Sequence, residues 1–599
     1  MSEAVAIVPP FIILLVAALA IVKLPHRIGH AVGAAAMGAV MLISLLVPSG
    51  TYFDVSFLGF DVVLFAVDEF SRLLGFGFGF LGAMAVIYAA SSDAPRVTTA
   101  FAISYVGATI GAVFAGDWLT LLFFWELMAV TSTLLVWHYG GRAVRAGYRY
   151  AIAHGIGGSL LLFAVIWHYA SVGALHFGAG ATGIADGVPA LLAAIGIGVN
   201  CGFIILHTWL PDTYPKPHFA ASVFLSIFTT KTGAYVLYRA FPDGELMIAY
   251  MGGAMAVYGV VFALLQHDMR ALLSYHIQAQ VGYMVAGIGI GSAIGIAGAM
   301  GHLFNNVLYK ALLFMAIGVI IYRTGENDLY KLGGLWRKMP ITAIAYLIGA
   351  LSITAVPGFN GFISKGMVLD AANPAYYGGP EYQALYWLLM IGAIGTFLSF
   401  IKLGYYTFLH GESTRMVRDA KPGQSAAMLS VAALCIIFGL WWQGLVDLLP
   451  LMDPVDLNPY SVGHLTDAVL LGTFSVVAFV VIRKPLSKLG HIHDMDAILN
   501  PVVFHSGRLA MLGVTELYAA VDRIAVRFVR LGYWAGNHPV TAVAAVTEVL
   551  PITWSPVGDE TPPSPDGGRQ STLALRASIG LTVLLITAVL SVTLYVLLL

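Results

Sequence analysis

Residues 119–137 read LTLLFFWELMAVTSTLLVW, a run apolar enough for lipid except for a few hydroxyls and one carboxylate, Glu126. A run of about 20 apolar residues matches the hydrocarbon thickness of a bilayer. A charge near its middle costs roughly 2.5–3.5 kcal/mol on insertion scales. The same question returns with three lysines. Lys231 lies in AASVFLSIFTTKTGAYVLYR, Lys310 in GHLFNNVLYKALLFM and Lys402 in GAIGTFLSFIKLGYYTFL.

The rest of the composition places these charges in a membrane. Of 599 residues, 59% are hydrophobic and only 10% charged, against about 25% charged in soluble domains. So few charges cannot cover a watery surface, and an all-α polytopic membrane protein follows. Runs of bilayer length, roughly sixteen of them, fall near 4–23, 29–48, 68–90, 99–115, 118–138, 150–173, 189–210, 218–241, 246–265, 272–290, 294–322, 340–358, 384–410, 424–446, 463–483 and 573–598. The first lacks a basic flank and reads as a span, not a signal peptide. A net charge of −1 argues against nucleic acid as a partner. Cys201 and Cys435 sit in apolar runs with no Cys or His at ligand spacing, so packed thiols are expected, with no metal and no cofactor.

Loop charge alternates along the chain. Lys23 and Arg27, Arg96, Arg142, Arg145 and Arg149, Lys216, Arg270, Arg323 to Lys338, Arg415 to Lys421 and Arg483 to Lys488 mark one side. Asp54 and Asp61, Asp117, Asp186, Asp243 and Glu245, and Asp447 to Asp456 mark the other, while the loop at 359–383 is mixed, with Lys365 against Asp370 and Glu381. The positive-inside rule makes the basic side cytoplasmic and the N-terminus external, in a cell membrane. Beyond 483, residues 494–534 read as an amphipathic helix for the cytoplasmic surface, followed by the linker SPVGDETPPSPDGGRQST and a last span.

A structural ion pair explains one buried charge; four at similar depth in separate helices point to a polar path. His302, Asn306 and Lys310 recur at four-residue spacing, one helical stripe. QHDMRALLSYHIQAQVGYM adds Arg270 and His276 on the basic-loop side, where His276 titrates near neutral pH and arginine stays charged. HTWLPDTYPKPHF (207–219) and AVPGFNGFISKG (355–366) interrupt hydrophobic runs, and each precedes a helix with a buried lysine. Irregular backbone at membrane depth survives only inside protein or along a watery cavity, and paired breaks indicate internal repeats around an ion route. The expected division is 1–97 N-terminal helices, 98–290 first repeat, 294–483 second repeat and following helices, 484–572 amphipathic helix and linker, and 573–599 terminal span. The expected chemistry is proton relay through Glu126, Lys231, Lys310 and Lys402, with His276 and His302 as further relay candidates. No carboxylate cluster suits Na⁺, so a transported cation would bind at an interface with another subunit.

FFWELM, LHTWLPDTYPKPHFAAS, TTKTGAYVLYR, HDMRALLSYHIQAQVGYM, HLFNNVLYKALLFM and IKLGYY, spread over roughly 60–490, resemble the antiporter-like subunits shared by Mrp cation/proton antiporters, respiratory complex I and membrane-bound hydrogenases. LGGLWRKMPITA and NPYSVGHLTDAVLL look most like the D-type subunit of the Mrp antiporters. The resemblance implies two inverted five-helix repeats, each with one broken helix, and places Glu126, Lys231, Lys310 and Lys402 on the proton path. Arg270 and Asn306 stand where the family often has lysine and histidine. The functions implied are a proton-translocating subunit of a multisubunit Na⁺(cation)/H⁺ antiporter, not itself an enzyme, or the proton-pumping membrane subunit of a complex I or hydrogenase. A structural scaffold ranks last, because it gives no reason for repeated breaks and lysines. Partners under the first two are other membrane subunits, the bilayer, H⁺ and Na⁺.

Overall fold

Prolines and short polar caps start the helices. α1 (Pro10–Lys23) opens on Pro10 and α2 (His26–Leu46) follows Pro25; the first turn of a helix has no partner for an N–H, so losing one there is cheap. A computed structural model describes residues 8–177, 183–412, 416–449, 457–488 and 494–549. Among them, eleven helices are long and apolar enough to cross a membrane.

One element departs from the all-helical expectation. β1 (Gly50–Phe57) and β2 (Phe60–Val67) pair antiparallel, joined at Leu58 and Gly59 with φ of 50° and 81°. Positive φ at both turn residues is what a two-residue hairpin needs. These residues read as a polar loop around Asp54 and Asp61; each strand is too short for its alternation to stand out beside long apolar runs. α3 (Glu69–Ser91) then starts on a capping box, Asp68 accepting from the Ser71 amide and the Ser71 hydroxyl from the Asp68 amide. After α4 (Arg96–Val113), Asp117 caps α5 (Trp118–Trp137) and also accepts from the Val63 amide at 2.6 Å. That carboxylate ties the hairpin to the start of the Glu126 helix.

α6 (Arg142–Val172) leads to α7 (Val188–Cys201), only 14 residues long. Gly202 takes the left-handed conformation there and the chain stays irregular to Thr208, with Ile205 at φ 79°. A β-branched residue at that angle is strained. The turn α8 (Trp209–Thr213) precedes α9 (Phe219–Ile227), which breaks at Phe228 before α10 (Thr229–Ala240). Next come α11 (Leu246–Leu265), α12 (Met269–Ile290) and α13 (Ala293–Thr324). The 14-residue α14 (Pro340–Ile353) ends in a second irregular stretch with Ala355 at φ 60°, and α15 (Asn360–Ala372) completes the crossing. α15 occupies residues expected to be a loop at 359–383. α16 (Gln383–Gly404), α17 (Pro422–Leu440), the turn α18 (Trp442–Val446) and α19 (Val462–Lys488) follow.

The element order repeats itself. Three long helices, a half-helix with a strained break and a lysine-bearing helix occur at 96–240 and again at 246–404. The register differs from the 98–290 and 294–483 division, because the helix of Lys310 answers to α6 and does not open a unit. Five crossings per unit is an odd number, so the second enters the membrane from the opposite side. Among the described residues, each expected run as far as residue 483 falls on a helix or a pair of half-helices.

Burial is graded from the middle outward. α9 with α10 is wholly buried and α13 nearly so, whereas α1, α2, α6 and α19 leave Leu19, Leu46, Phe163 and Val481 exposed on their outer faces. The polar helices are thus wrapped by apolar ones, the order a lipid solvent demands. The chain divides into two units, 1–502 and 503–599. α20 (Asp496–Asn537) is one continuous helix with no buried residue, and α21 (Pro539–Val549) follows it. The expected linker after Ser555 and the span at 573–598 lie outside the described residues.

α11 and α12 meet along small residues. A Cβ on Gly282 would lie 2.5 Å from the Gly252 carbonyl oxygen, and one on Gly259 would lie 2.7 Å from the Ala279 amide nitrogen. Such close approach of backbones is how membrane helices gain packing energy. Gly282→Val should force the pair apart and cost roughly 1–3 kcal/mol, read as a lowered thermal unfolding midpoint of the purified protein in detergent.

Candidate functional site

Three buried lysines meet the ends of helices. Lys231, on the first turn of α10, donates to the Ser226 carbonyl in the last turn of α9 at 2.8 Å and to Thr230 Oγ1 at 3.2 Å. Lys365, on α15, donates to the carbonyl of Ile353, the last residue of α14, at 2.9 Å. Lys402, in the last turn of α16, donates to Leu264 and Gln266, where α11 ends, at 2.7 and 2.8 Å. The C-terminal end of a helix carries roughly half a negative charge, so it stands in for a counter-ion. Lys310 differs. Its Nζ donates at 3.1 Å to Leu273, inside α12. All four side chains are buried, and among the described residues none has a carboxylate at ion-pair distance.

Lys231, Lys310 and Lys365 share one centre with two histidines. Lys310 is within charge range of Lys231 and Lys365, His276 of Lys310 and Lys365, and His302 of Lys365 and Lys231. The Phe400 ring neighbours both His276 and Lys310, its centroid 4.8 Å from that of the imidazole and 5.9 Å from the ammonium. His302 contacts Ser364 and the Tyr309 hydroxyl, each at 3.2 Å; Tyr309 donates toward Gln280 at 3.4 Å, and Gln280 donates to Thr396 at 3.3 Å. Asn306 donates to the same Tyr309 hydroxyl at 3.0 Å. Both nitrogens of His276 and the side-chain oxygens of Asn305, Asn306 and Gln278 are buried without a protein partner. Buried polar atoms are nearly always satisfied, so such a cluster calls for water. His276, expected on the basic-loop side, belongs to this interior.

On the Glu126 side the groups are set further apart. The Glu126 carboxylate is half-buried and packs against α6 so closely that a Cβ on Gly158 would lie 1.5 Å from its Oε1. It makes no ion pair with Lys231. α6 packs on α7 where Gly157 meets Val199, and Asn200 of α7 packs against Gly233 of α10 with both amide atoms buried and unpartnered. Thr229, two residues before Lys231, joins Tyr105 at 2.5 Å and Tyr150 at 3.1 Å through its hydroxyl. Arg270 donates to the Pro217 carbonyl and the Ser222 hydroxyl, fastening the start of α9.

Sequence reasoning missed Lys365 and Asn200. Lys365 follows Pro357, Gly358 and Gly361, which signal a loop, and its half-helix is too short for a hydropathy window. Asn200 carries no charge; only its place just before Gly202 could have marked it. Lys402, expected deep in its span, lies at a helix end, within charge range of Asp328 and not of the other lysines. A further carboxylate, Asp494, receives Tyr258 and Tyr275 hydroxyls and lies 3.2 Å from His207 Nε2 in the first break. Burial raises its pKa, and those three contacts overcome the rise and hold it at about 2.

Residues 115–399 match the family described as NADH:quinone oxidoreductase/Mrp antiporter, TM. An uncharacterised protein of Methanocaldococcus jannaschii is 31% identical over 355 residues, which span 56% of this chain and 73% of that protein. The chain belongs to this antiporter-like family. The D-type subunit of the Na(+)/H(+) antiporter of Alkalihalophilus pseudofirmus is 29% identical over 348 residues, 55% of this chain and 69% of the relative. A chain in the structure of the Mrp complex from Dietzia sp. DQ12-45-1b superposes with a TM-score of 0.66 at 21% identity, over 80% of this chain and all of that one. The fold is therefore that of an antiporter-like subunit, and the chain is a multi-pass membrane protein.

The two kinds of lysine contact separate by stability. Lys402→Met leaves two helix-end carbonyls without their donor and should cost about 1–3 kcal/mol. Lys310→Met replaces an ion that no counter-charge supports, and should cost less than about 1 kcal/mol. Thermal unfolding midpoints of the two purified variants check the difference.

Proposed function

We propose that the chain is the proton-translocating subunit of a multisubunit cation/proton antiporter of the Mrp type. The observation that carries this reading is the shared centre of Lys231, Lys310 and Lys365. Three amines fully buried in separate helices, with helix ends, hydroxyls and imidazoles as company, form a row of groups that exchange protons. A buried ammonium without a counter-ion is costly, and that cost makes its proton transferable. Glu126 stands at one end of the row and approaches the lysines through α7 and Asn200. Waters held by the unpartnered amides and imidazole bridge the gaps. Membership of the family and the likeness to the D-type subunit of a Na(+)/H(+) antiporter support the same reading.

The chain works among other membrane subunits and is not itself an enzyme on this account. Its N-terminus and acidic loops face outward and its basic loops the cytoplasm of a cell membrane. Sodium, as the exchanged cation, binds at an interface with a neighbouring subunit. The family description also names NADH:quinone oxidoreductase; under that second reading the same lysine row pumps protons for a redox enzyme. Co-purifying flavin or iron–sulfur subunits would favour the second reading, and small hydrophobic subunits alone the first.

The test is flux through the assembled complex in sealed vesicles. Lys310→Ala should reduce the pH change that follows a cation pulse by at least about tenfold, the size of effect that loss of a proton-transfer group produces. Full retention of that pH change in the variant would remove the lysine row from the mechanism.

A further inference from the structure

The buried face of α6 holds a histidine that the lysine row does not use. Tyr150, His154, Gly158 and Leu161 follow one another along it, at the three- and four-residue spacing of a single helical face. The His154 imidazole is 1% exposed. The Tyr150 ring stacks on it at 3.9 Å, the Trp209 ring meets it edge to face at 4.5 Å, and Nδ1 lies 3.0 Å from the Tyr150 carbonyl oxygen. A carbonyl only accepts, so Nδ1 carries the hydrogen and the neutral ring keeps its lone pair on Nε2. Nε2 is buried and has no protein partner. The two aromatic walls and the Nδ1 contact fix the ring and leave its one basic edge free.

Glu126 comes to the same face of α6. Its Oε1 fills the place that a Cβ on Gly158 would take. The Cα–Cβ bonds of a helix tilt toward its N-terminus, so that place lies on the side of the turn that holds His154, which is about 6 Å along the axis from residue 158. An ionised carboxylate and a neutral Nε2 both accept, and either one shared proton or a water donating to both joins them. On the far side of the ring, Trp209 Nε1 donates at 3.0 Å to the carbonyl of Val199, the neighbour of Asn200 with its unpartnered amide. The Tyr150 hydroxyl reaches Thr229, two residues before Lys231. The other titratable groups around the ring are phenols: Tyr150 itself, Tyr214 against Trp209, and Tyr105 on Thr229.

We propose that His154 is a relay residue between Glu126 and Lys231. The inference rests on the proton-translocating reading and supplies the link that the separation of those two groups requires. In the step, the O–H bond of protonated Glu126 breaks and an N–H bond forms on His154 Nε2, directly or through one water, leaving a carboxylate and an imidazolium. That Nε2–H bond then breaks, water at the Asn200 amide carries the proton, and an N–H bond forms on the neutral Lys231 amine. The Nδ1 hydrogen stays on the Tyr150 carbonyl throughout, so the ring returns to its starting tautomer. One proton has moved from a carboxyl to an amine, with no redox partner, and the reverse transfer uses the same atoms.

Cation-driven proton flux through the assembled complex in sealed vesicles tests this. His154→Asn keeps an N–H that can donate to the Tyr150 carbonyl but has no basic nitrogen, and should slow the flux at least about tenfold. Two groups in series serve one step, so the double variant His154→Asn with Glu126→Gln should be no slower than the slower single variant. A histidine that only packs would give losses that multiply. Unchanged flux in His154→Asn, or multiplied losses in the double variant, overturns the relay. His154→Gln, with its longer amide, is read in the same way where the asparagine variant does not assemble. Lys310→Ala measured alongside separates two failures. Flux kept in Lys310→Ala removes the lysine row itself; flux lost there but kept in His154→Asn removes the His154 link alone.

Discussion

The structure depends on one compensation: a lysine ammonium in the membrane interior answered by the carbonyl end of a helix. An isolated charge at this depth is expensive, and a carboxylate partner would lock it in place as a salt bridge. The end of a half-helix offers partial negative charge without titrating. At the interruptions α9–α10 and α14–α15 a lysine of the following segment reaches back to the segment before it, Lys231 to Ser226 and Lys365 to Ile353. The breaks are thus where a fixed dipole replaces a mobile counter-ion.

That compensation explains why the helices must be interrupted. A continuous helix buries its carbonyls in its own ladder, as α12 does with Leu273, and has little left for a lysine. Interrupting α9–α10 and α14–α15 in the middle of the protein frees carbonyls at the required depth, and the wholly buried position of α9 and α10 keeps the groups freed there from lipid. The backbone strain at Ile205 and Ala355 belongs to the same design, because tight left-handed turns end the half-helices α7 and α14 abruptly.

Much of this was legible in the residues. Apolar side chains in repeated runs of bilayer length left little room for another architecture, and Glu126, Lys231, Lys310 and Lys402 stood out because so little else in those runs was charged. The breaks were visible as proline and glycine clusters. The hairpin at 50–67 was hidden because short strands carry a weak pattern beside 20-residue helices. Lys365 was hidden because the same proline and glycine signal that marks a break also imitates a loop, and a 13-residue half-helix looks the same as one.

The sequence by itself determined the solvent, the helical class, the paired interruptions and which side chains carry buried charge, since each is a property of a local window of residues. Only the tertiary structure decided partners. It set Lys231 on Ser226 and kept it off Glu126, joined Lys365 to the central group and separated Lys402 from it, and brought Tyr150 on α6 against Thr229 on α10. Tyr150 and Thr229 stand 79 positions apart along the chain. Such pairings follow from how whole helices pack, which no local window of residues contains.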